Sequence, residues 1–147
     1  MLGVRVRVAV LIRKGDQVLL VEHQKNGHKY WLLPGGGVEY GESLVECAQR
    51  ELREETNLEI EVQRLAFVVD SVAPDRSRHI VHVVFFAREV GGELRVGQEE
   101  RLFNAQYVDI ERLEELVVYP PVAGEIVKAA TLGTQYCPSY LGAIWVD

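Results

Sequence analysis

A glycine-rich loop followed by an acidic, helix-forming segment organises the chain. Residues 36–58 read GGVEYGESLVECAQRELREETNL. Ser43 is the expected N-cap of a helix, because its hydroxyl can accept a hydrogen bond from an unpaired backbone N–H of the first turn. Leu44, Ala48 and Leu52 recur every four residues, so we expect them to share the face that packs on the core. The stretch therefore predicts a tight loop that leads into an amphipathic helix.

Three carboxylates occupy another face of this predicted helix. Glu51, Glu54 and Glu55 are spaced i, i+3 and i+4, so their like charges lie close together and repel one another. A Mg²⁺ ion would offset this repulsion, because it takes oxygen ligands and leaves room for water and substrate phosphates. Arg50 lies four residues before Glu54, and we expect it to orient that carboxylate by a bidentate hydrogen bond. A solvated, salt-bridged helix face is the alternative, as it is for most runs of charge.

The spacing of the whole stretch resembles the box of the Nudix hydrolases. Glu42 follows Gly36 after five residues, and the block at 50–55 follows after seven more. In relatives a similar WxLPGG run leads into the box, and here it stands at residues 31–36. One position departs from the family pattern, since Asn57 replaces the glycine that ends the helix. Asparagine tolerates the left-handed conformation, so we expect metal binding to be intact.

The resemblance implies a metal-dependent hydrolase that cleaves the diphosphate linkage of a nucleoside diphosphate derivative with Mg²⁺ or Mn²⁺. Carried over by position, Glu54 and Glu55 are implied metal ligands, and the carbonyl of Gly35 is a further one. Glu51 is implied either as a ligand or as the base that prepares the attacking water. Bound metal ions neutralise phosphate charge, lower the pKa of bound water and align the attack.

Two further groups of residues follow from the same resemblance. Glu42 and Arg50 correspond to the supporting pair that holds the loop and the helix together. In several relatives the general base comes from a later loop, where Glu99 and Glu100 are the candidates in this chain and Glu93 is less favoured. A solvated loop is the alternative for Glu99 and Glu100.

The substrate is less clearly marked than the reaction. Pro74 stands sixteen residues after Leu58. This spacing resembles the ADP-ribose pyrophosphatases and slightly favours a substrate of that type, although an ordinary loop proline is the alternative. Arg76 stands where enzymes of diadenosine polyphosphates tend to have tyrosine, which disfavours that class. Arg76 and Arg78 are candidate contacts to a substrate phosphate or ribose.

Two alternative functions remain open. The box begins at residue 36, without the extra N-terminal region of many ADP-ribose enzymes, so a MutT-like pyrophosphohydrolase of nucleoside triphosphates is the first alternative. The second is of a different class, a catalytically silent module that binds a nucleotide without hydrolysing it. The intact set of Glu51, Glu54 and Glu55 favours an enzyme over such a module.

The segments around the box predict strands and helices. Residues 3–13 begin as an alternation, so we expect Val4, Val6 and Val8 to face inward and Arg5 and Arg7 to face outward. Further strands are expected at 17–23, 58–69, 79–90 and 105–108, helices at 110–116 and 122–132, and an irregular tail at 133–147. This order predicts an α+β fold of the α/β/α sandwich type, with a mixed β-sheet between helices.

Composition sets the remaining expectations. The 147 residues suit a single domain spanning 1–147, and the net charge of −6 argues against binding of nucleic-acid polymers. Two cysteines make no disulfide framework, and the four histidines lack the tight spacing of a transition-metal site. No signal or membrane-spanning segment is evident, so we expect a cytoplasmic protein with no membrane partner and a small nucleotide substrate. The aromatic tail is compatible with a homodimer interface or with packing on its own domain.

Overall fold

The computed structural model describes residues 3–145. The predicted strands occur in their expected order, with unpredicted strands at 28–32, 35–37 and 139–144, and the helix expected at 110–116 is a 3-10 helix. In this range the strands are β1 Arg5–Leu11, β2 Arg13–Lys14, β3 Gln17–Lys25, β4 His28–Leu32, β5 Gly35–Gly37, β6 Leu58–Val72, β7 His79–Gly92, β8 Leu102–Asp109 and β9 Ser139–Ile144. The α-helices are α1 Leu44–Thr56 and α2 Ala123–Leu132, with 3-10 helices at Ile110–Glu115 and Gly133–Gln135. Within the described range, no helix is both long and apolar enough to span a membrane.

The main sheet is mixed, as predicted. Its strand order is β5-β1-β7-β6-β9. Strands β1 and β7 are parallel, as are β6 and β9, whereas β1 pairs with β5 and β6 pairs with β7 in antiparallel fashion. A second sheet is built around β3, which pairs antiparallel with β2, β4 and β8.

Strand β1 shows why the main sheet lies between helices. Val8 and Val10 point to one face, where they cluster with Leu52 of α1. Ala9 points to the other face, where it clusters with Ile126 of α2. Both faces are covered, so the middle of the strand is apolar throughout. Complete burial of Leu52 alone stabilises the fold by about 1.5–3 kcal/mol. The predicted sandwich is confirmed.

Helix α1 begins and ends where the sequence predicts. The Oγ atom of Ser43 accepts a hydrogen bond from the Glu46 N–H (3.0 Å), and the Glu46 carboxylate accepts one from the Ser43 N–H (3.0 Å). Asn57 closes the helix in the left-handed conformation, with φ 62°, and its N–H donates to the Arg53 carbonyl. Leu44 was expected in the core but is 37% exposed, because the packed part of α1 begins later, at Cys47.

The N-terminal half of β1 departs from the expected pattern. Val4 and Val6 are 58% and 38% exposed, although they lie in phase with the buried Val8. Strand alternation is preserved, but α1 does not cover this end of the strand. Arg7 is instead half-buried, and its guanidinium donates to the Leu33 carbonyl (3.0 Å). The outward position predicted for Arg7 is therefore wrong.

The tail is more ordered than predicted. Residues 139–144 form β9, which pairs parallel with β6 through Phe67 opposite Ser139 and Val68 opposite Tyr140. Tyr136 is 3% exposed and belongs to the core cluster on the α2 side. The short alternating run at the end of the chain becomes a strand because β6 offers it a free edge. The last two residues of the predicted tail lie outside the described residues.

Candidate active site

A cleft of about 670 Å³ opens at one end of the main sheet. Its walls come from the start of β1, the glycine loop with β5, helix α1, strand β7 and the segment before β8. Carboxylates gather on one side of the cleft, whereas other lining positions carry arginine side chains. The cleft can therefore accommodate a cation and an anionic group together.

Two carboxylates of α1 are buried where the helix faces this cleft. Glu55 is 1% exposed, and its Oε1 accepts a hydrogen bond from the Gly35 N–H (2.8 Å). Glu51 is 8% exposed, and its Oε1 accepts one from Arg50 Nη1 (2.9 Å). Burial raises the pKa of Glu51 to about 7. Buried carboxylates are retained where they are paired or bind a metal ion.

Arg50 joins the loop to the helix. Its Nε and Nη2 atoms donate to the two carboxylate oxygens of Glu42 (2.7 and 3.0 Å), and Nη2 also donates to the Gly37 carbonyl (3.1 Å). The Arg50 hydrogen bonds lower the pKa of Glu42 to about 2. Glu54 receives one bond, from Nη1 (3.2 Å). The bidentate partner of Arg50 is therefore Glu42, and the prediction of Glu54 in that place is wrong.

Two glycines bring the loop backbone directly against the helix and the sheet. A Cβ atom at Gly36 would overlap the carboxylate of Glu51. A Cβ atom at Gly35 would overlap the carbonyl oxygen of Val8 and the Cα of Ala9 in β1. Any larger residue at either position needs a neighbour to move. The glycine run therefore allows β5 to lie between β1 and the acidic face of α1.

The segment before β8 docks on the C-terminal end of α1. The backbone N–H of Arg95 donates to the Thr56 carbonyl, and that of Gly97 donates to the Glu55 carbonyl, both at 2.9 Å. The amide of Asn57 donates to the Glu93 carbonyl (2.9 Å). The bonds from Arg95 and Gly97 satisfy carbonyls that a helix end leaves unpaired. They also carry the next residues of the segment, including Glu99, to the acidic face of the helix.

Glu99 completes a group of carboxylates that converge on one point. One oxygen each from Glu51, Glu54 and Glu99 lies within 4.8 Å of the other two. Partial burial and the charge of Glu55 raise the pKa of Glu99. An all-oxygen set with this mutual repulsion fits a hard divalent cation such as Mg²⁺ or Mn²⁺. Glu100 also lines the cleft, but it belongs to neither of the metal-ligating groups found among residues 3–145.

The arginines of the cleft include two that strand alternation predicted on an exposed face, with a phosphate contact as the alternative, and one that was a predicted substrate contact. Arg5, Arg7 and Arg78 all line it. His82 lies beside them, buried, with its Nε2 2.9 Å from the Oγ of Ser71. Burial lowers the pKa of His82 to about 4, and the charges of Arg7 and Arg78 act in the same direction. His82 is therefore neutral at pH 7, and the arginines carry the positive charge at this side.

Of the three predicted substrate contacts, one lies in the cleft and two lie outside it. Arg78 lines the cleft, as expected for a phosphate or ribose contact. Pro74 and Arg76 lie in the exposed turn between β6 and β7, where the Arg76 N–H donates to the Ala73 carbonyl (2.8 Å). Neither is among the described residues that line the cleft. A direct substrate contact by Pro74 or Arg76 has no geometric support.

Two aromatic rings in the cleft were not anticipated. Tyr30 and Tyr119 both line it, with ring centroids 4.7 Å apart. They are brought together because the segment that carries Tyr119 runs beside β4, through backbone bonds from Trp31 to Val117 and from Tyr119 to Trp31. Aromatic faces of this kind suit stacking against a nucleobase. The contact between Tyr30 and Tyr119 joins segments far apart in the sequence, so no local sequence pattern predicts it.

Comparison with known proteins agrees with this geometry. The model of the NUDIX domain family matches residues 1–129. The chain is 36% identical over 112 residues to an ADP-ribose pyrophosphatase of Methanocaldococcus jannaschii, covering 76% of the chain and 65% of that protein. It is 33% identical over 130 residues to a human 8-oxo-dGDP phosphatase, covering 88% and 38%. It is 34% identical over 114 residues to an NAD-capped RNA hydrolase of Yersinia enterocolitica, covering 78% and 41%. The chain thus spans less than two thirds of the length of each relative.

A solved structure shares the fold. A NUDIX hydrolase from Nitrosomonas europaea superposes with a TM-score of 0.79 at 20% sequence identity. The match covers 91% of this chain and 93% of that protein. At this identity the likeness concerns the fold alone, and it agrees with the mixed sheet and two helical layers described above.

Proposed function

The chain belongs to the NUDIX family, and from that premise we propose that it is a metal-dependent hydrolase of a diphosphate linkage in a nucleoside diphosphate derivative. One observation carries the proposal. Oxygens of Glu51, Glu54 and Glu99 converge within 4.8 Å at the wall of a cleft that also holds arginines. Such a site can hold a divalent cation and a polyphosphate side by side.

A divalent cation fits this site because the candidate ligand atoms are all oxygens. In the proposal Glu51, Glu54, Glu55 and Glu99 hold Mg²⁺ or Mn²⁺, and the Gly35 carbonyl is a further candidate ligand. When bound, the metal would neutralise phosphate charge and supply a water of lowered pKa. Arg50 orients Glu51 and Glu54 by hydrogen bonds, and Gly36 leaves room for the Glu51 carboxylate.

The reaction needs a group that takes a proton from water. The water oxygen forms a new bond to one phosphorus, the bond from that phosphorus to the bridging oxygen breaks, and the water proton passes to a carboxylate. Glu99 and Glu51 are the two candidates, since both lie in the convergent group. Whichever of the two takes the proton would do so with an oxygen that does not hold the metal. Glu100 lines the cleft outside this group.

ADP-ribose is the favoured substrate type. Support comes from the similarity to the Methanocaldococcus jannaschii enzyme, an ADP-ribose pyrophosphatase. The cleft also offers features that suit the two ends of such a molecule. Tyr30 and Tyr119 present aromatic surface for a base, and Arg78 can contact a phosphate or the distal ribose. Hydrolysis would then yield AMP and ribose 5-phosphate.

A nucleoside triphosphate, or an oxidised nucleotide, is the second candidate. The human 8-oxo-dGDP phosphatase aligns with 88% of this chain, which is more than the ADP-ribose enzyme aligns with. The capped-RNA hydrolase is a third kind of relative, so an NAD-capped RNA belongs in any test even though the net charge of −6 disfavours polymers. A silent binding module remains the alternative of a different class, and Glu99 joining the acidic group argues against it.

A substrate panel tests the proposal. The purified chain is assayed with Mg²⁺ or Mn²⁺ against ADP-ribose, dNTPs, 8-oxo-dGDP, nucleotide sugars, dinucleoside polyphosphates and NAD-capped RNA, and kcat/KM is compared. We expect metal-dependent turnover, highest with ADP-ribose, that EDTA and Glu54→Gln both abolish. Binding without turnover across the whole panel would support the silent module. A higher kcat/KM with 8-oxo-dGDP or a dNTP would replace ADP-ribose as substrate and keep the mechanism.

A further inference from the structure

A second group of ligand atoms lies beside the first and includes a nitrogen. Nε2 of His23 and one oxygen each from Glu55 and Glu99 lie within 4.8 Å of one another. Glu99 belongs to both groups. We propose that His23 is a nitrogen ligand to a second divalent cation held with Glu55 and Glu99, an inference that rests on the metal-dependent function proposed above. The four histidines showed no sequence spacing that predicts such a site.

The distance between His23 and Glu55 suits two ligands of one ion. His23 Nε2 lies 3.5 Å from Glu55 Oε2. A charge-assisted hydrogen bond between these atoms would be about 2.7–2.9 Å long. Two ligands at about 2.1 Å from a tetrahedrally coordinated ion are about 3.4 Å apart. The gap is therefore too long for a good ion pair and matches the separation around a metal.

The imidazole nitrogen also lacks a better partner. His23 Nε2 is buried without a hydrogen bond to any described residue. Glu55 is 1% exposed, and its other oxygen already accepts the Gly35 N–H. Buried polar atoms are nearly always satisfied, and a buried carboxylate is retained where it is paired or binds a metal ion. A cation between His23 and Glu55 would satisfy the imidazole nitrogen and offset the charge of the buried carboxylate.

Strand β3 is irregular at His23. The register of β3 against β8 shifts between Glu22 and His23. Such a bulge turns a side chain away from its regular direction and is common beside active sites. The Tyr30 ring meets the His23 ring edge-on, with centroids 5.8 Å apart, and this contact limits rotation of the imidazole. The local structure thus directs Nε2 of His23 toward Glu55 and holds it there.

The nitrogen donor predicts which metal the second site prefers. Imidazole suits transition metals such as Zn²⁺, Fe²⁺ and Ni²⁺, whereas Mg²⁺ favours oxygen ligands. The all-oxygen group of Glu51, Glu54 and Glu99 has no such bias between Mg²⁺ and Mn²⁺. Glu99, common to both groups, would then lie between the two ions. Paired metal ions of this kind act together on the attacking and leaving oxygens of a phosphoryl group.

Electron spin-echo spectroscopy of bound Mn²⁺ tests the proposal without measuring turnover. A directly bound imidazole couples its nitrogen spin to Mn²⁺, and labelling the chain with ¹⁵N-histidine changes that coupling in a recognisable way. We expect the histidine coupling in the wild type, its loss in His23→Gln, and its retention in His28→Gln. His28 is exposed on β4 and is the matched control. Equilibrium dialysis should show Mn²⁺ binding at this site weakened about tenfold or more in His23→Gln, with Mg²⁺ binding little changed.

The possible results separate this inference from the proposed function. Mn²⁺ bound by the wild type without any histidine coupling would overturn the role of His23 and leave the carboxylate site standing. Absence of Mn²⁺ binding altogether would overturn both. If His23→Gln fails to fold, as circular dichroism would show, the labelled wild type alone still decides the question. Coupling that persists unchanged in folded His23→Gln would also contradict the proposal.

Discussion

The carboxylate of Glu51 occupies the space in which a side chain at Gly36 would lie. A Cβ built on Gly36 would overlap all three atoms of that carboxylate group. Gly36 belongs to β5 and Glu51 to α1, so the contact joins the glycine loop to the helix across the proposed metal site. The absence of a side chain at residue 36 is what allows the carboxylate to face the cleft.

Gly36→Ala should therefore impair the site more than the fold. The new methyl group displaces the end of a side chain rather than backbone, so we expect kcat to fall by about 10²–10³-fold as several kcal/mol of transition-state stabilisation are lost. The melting temperature should change little. Gly35→Ala is the contrasting variant, because its methyl group meets the backbone of Val8 and Ala9 in β1. Overpacking of that kind costs about 1–3 kcal/mol, so Gly35→Ala should lower Tm clearly. Equal effects of the two variants on Tm and kcat would contradict this assignment.

Glu54→Gln should abolish metal-dependent turnover while the fold persists. Glu54 is exposed and contributes to the convergent group, so its loss affects metal binding without opening the core. Glu55→Gln should abolish turnover as well, although its burial makes a drop in Tm more pronounced. Glu114→Gln, on an exposed surface outside the cleft, is the control and should keep the wild-type rate. If both Glu54→Gln and Glu55→Gln turn over at full rate, the metal ligands have been misassigned.

Glu99 and Glu100 should differ sharply although they are neighbours. Glu99 is a member of both metal-ligating groups, and its pKa is raised by burial. Glu100 lines the cleft but belongs to neither group. We expect kcat to fall by about 10²–10⁴-fold in Glu99→Gln, the range for loss of a general base, and by less than about threefold in Glu100→Gln. The pH dependence of kcat/KM should also change in Glu99→Gln. The reverse ranking of the two variants would move the base to Glu100.

The stability of the metal-free protein should depend on pH through the carboxyl group of Glu51. Burial raises the pKa of its carboxyl from 4.5 to about 7, so between these values the folded state keeps a proton that the unfolded state has lost. This contribution to stability is complete below the lower pKa and is lost as pH rises through the higher one. Glu51→Gln removes the titration and preserves an acceptor for Arg50. In EDTA, we therefore expect Tm of Glu51→Gln relative to wild type to increase from about pH 5 to about pH 8. A difference that stays constant across this range would show that Glu51 has an ordinary pKa.

The helix and loop of the site were predictable because their signals are local. Ser43, Asn57 and the spacing of Glu42 and Arg50 act within a few turns of chain, and each takes the expected place. Contacts between distant segments were not predicted. Arg7 lines the cleft and donates to the Leu33 carbonyl, a contact between distant segments that strand alternation alone does not predict.

Other residues reached the cleft through pairings between distant segments. His23 depends on a register shift between β3 and β8, and Tyr119 depends on its segment lying beside β4. Neither partner can be recognised from the local sequence. The predictions for Pro74 and Arg76 were wrong for the opposite reason. Family spacing placed both residues near the substrate, but they are exposed in the turn between β6 and β7. The single domain spanning 1–147, the cytoplasmic location and the homodimer stay predictions.

The location of Mn²⁺ in a crystal tests the central claim most directly. Anomalous scattering from a crystal soaked in Mn²⁺ should place an ion between the glycine loop and α1, within about 2.5 Å of carboxylate oxygens from Glu51, Glu54 and Glu99. A second peak beside His23 would add the further site. An ordered Mn²⁺ ion elsewhere on the protein, with this group of carboxylates unoccupied, would contradict the proposed metal centre and the mechanism built on it.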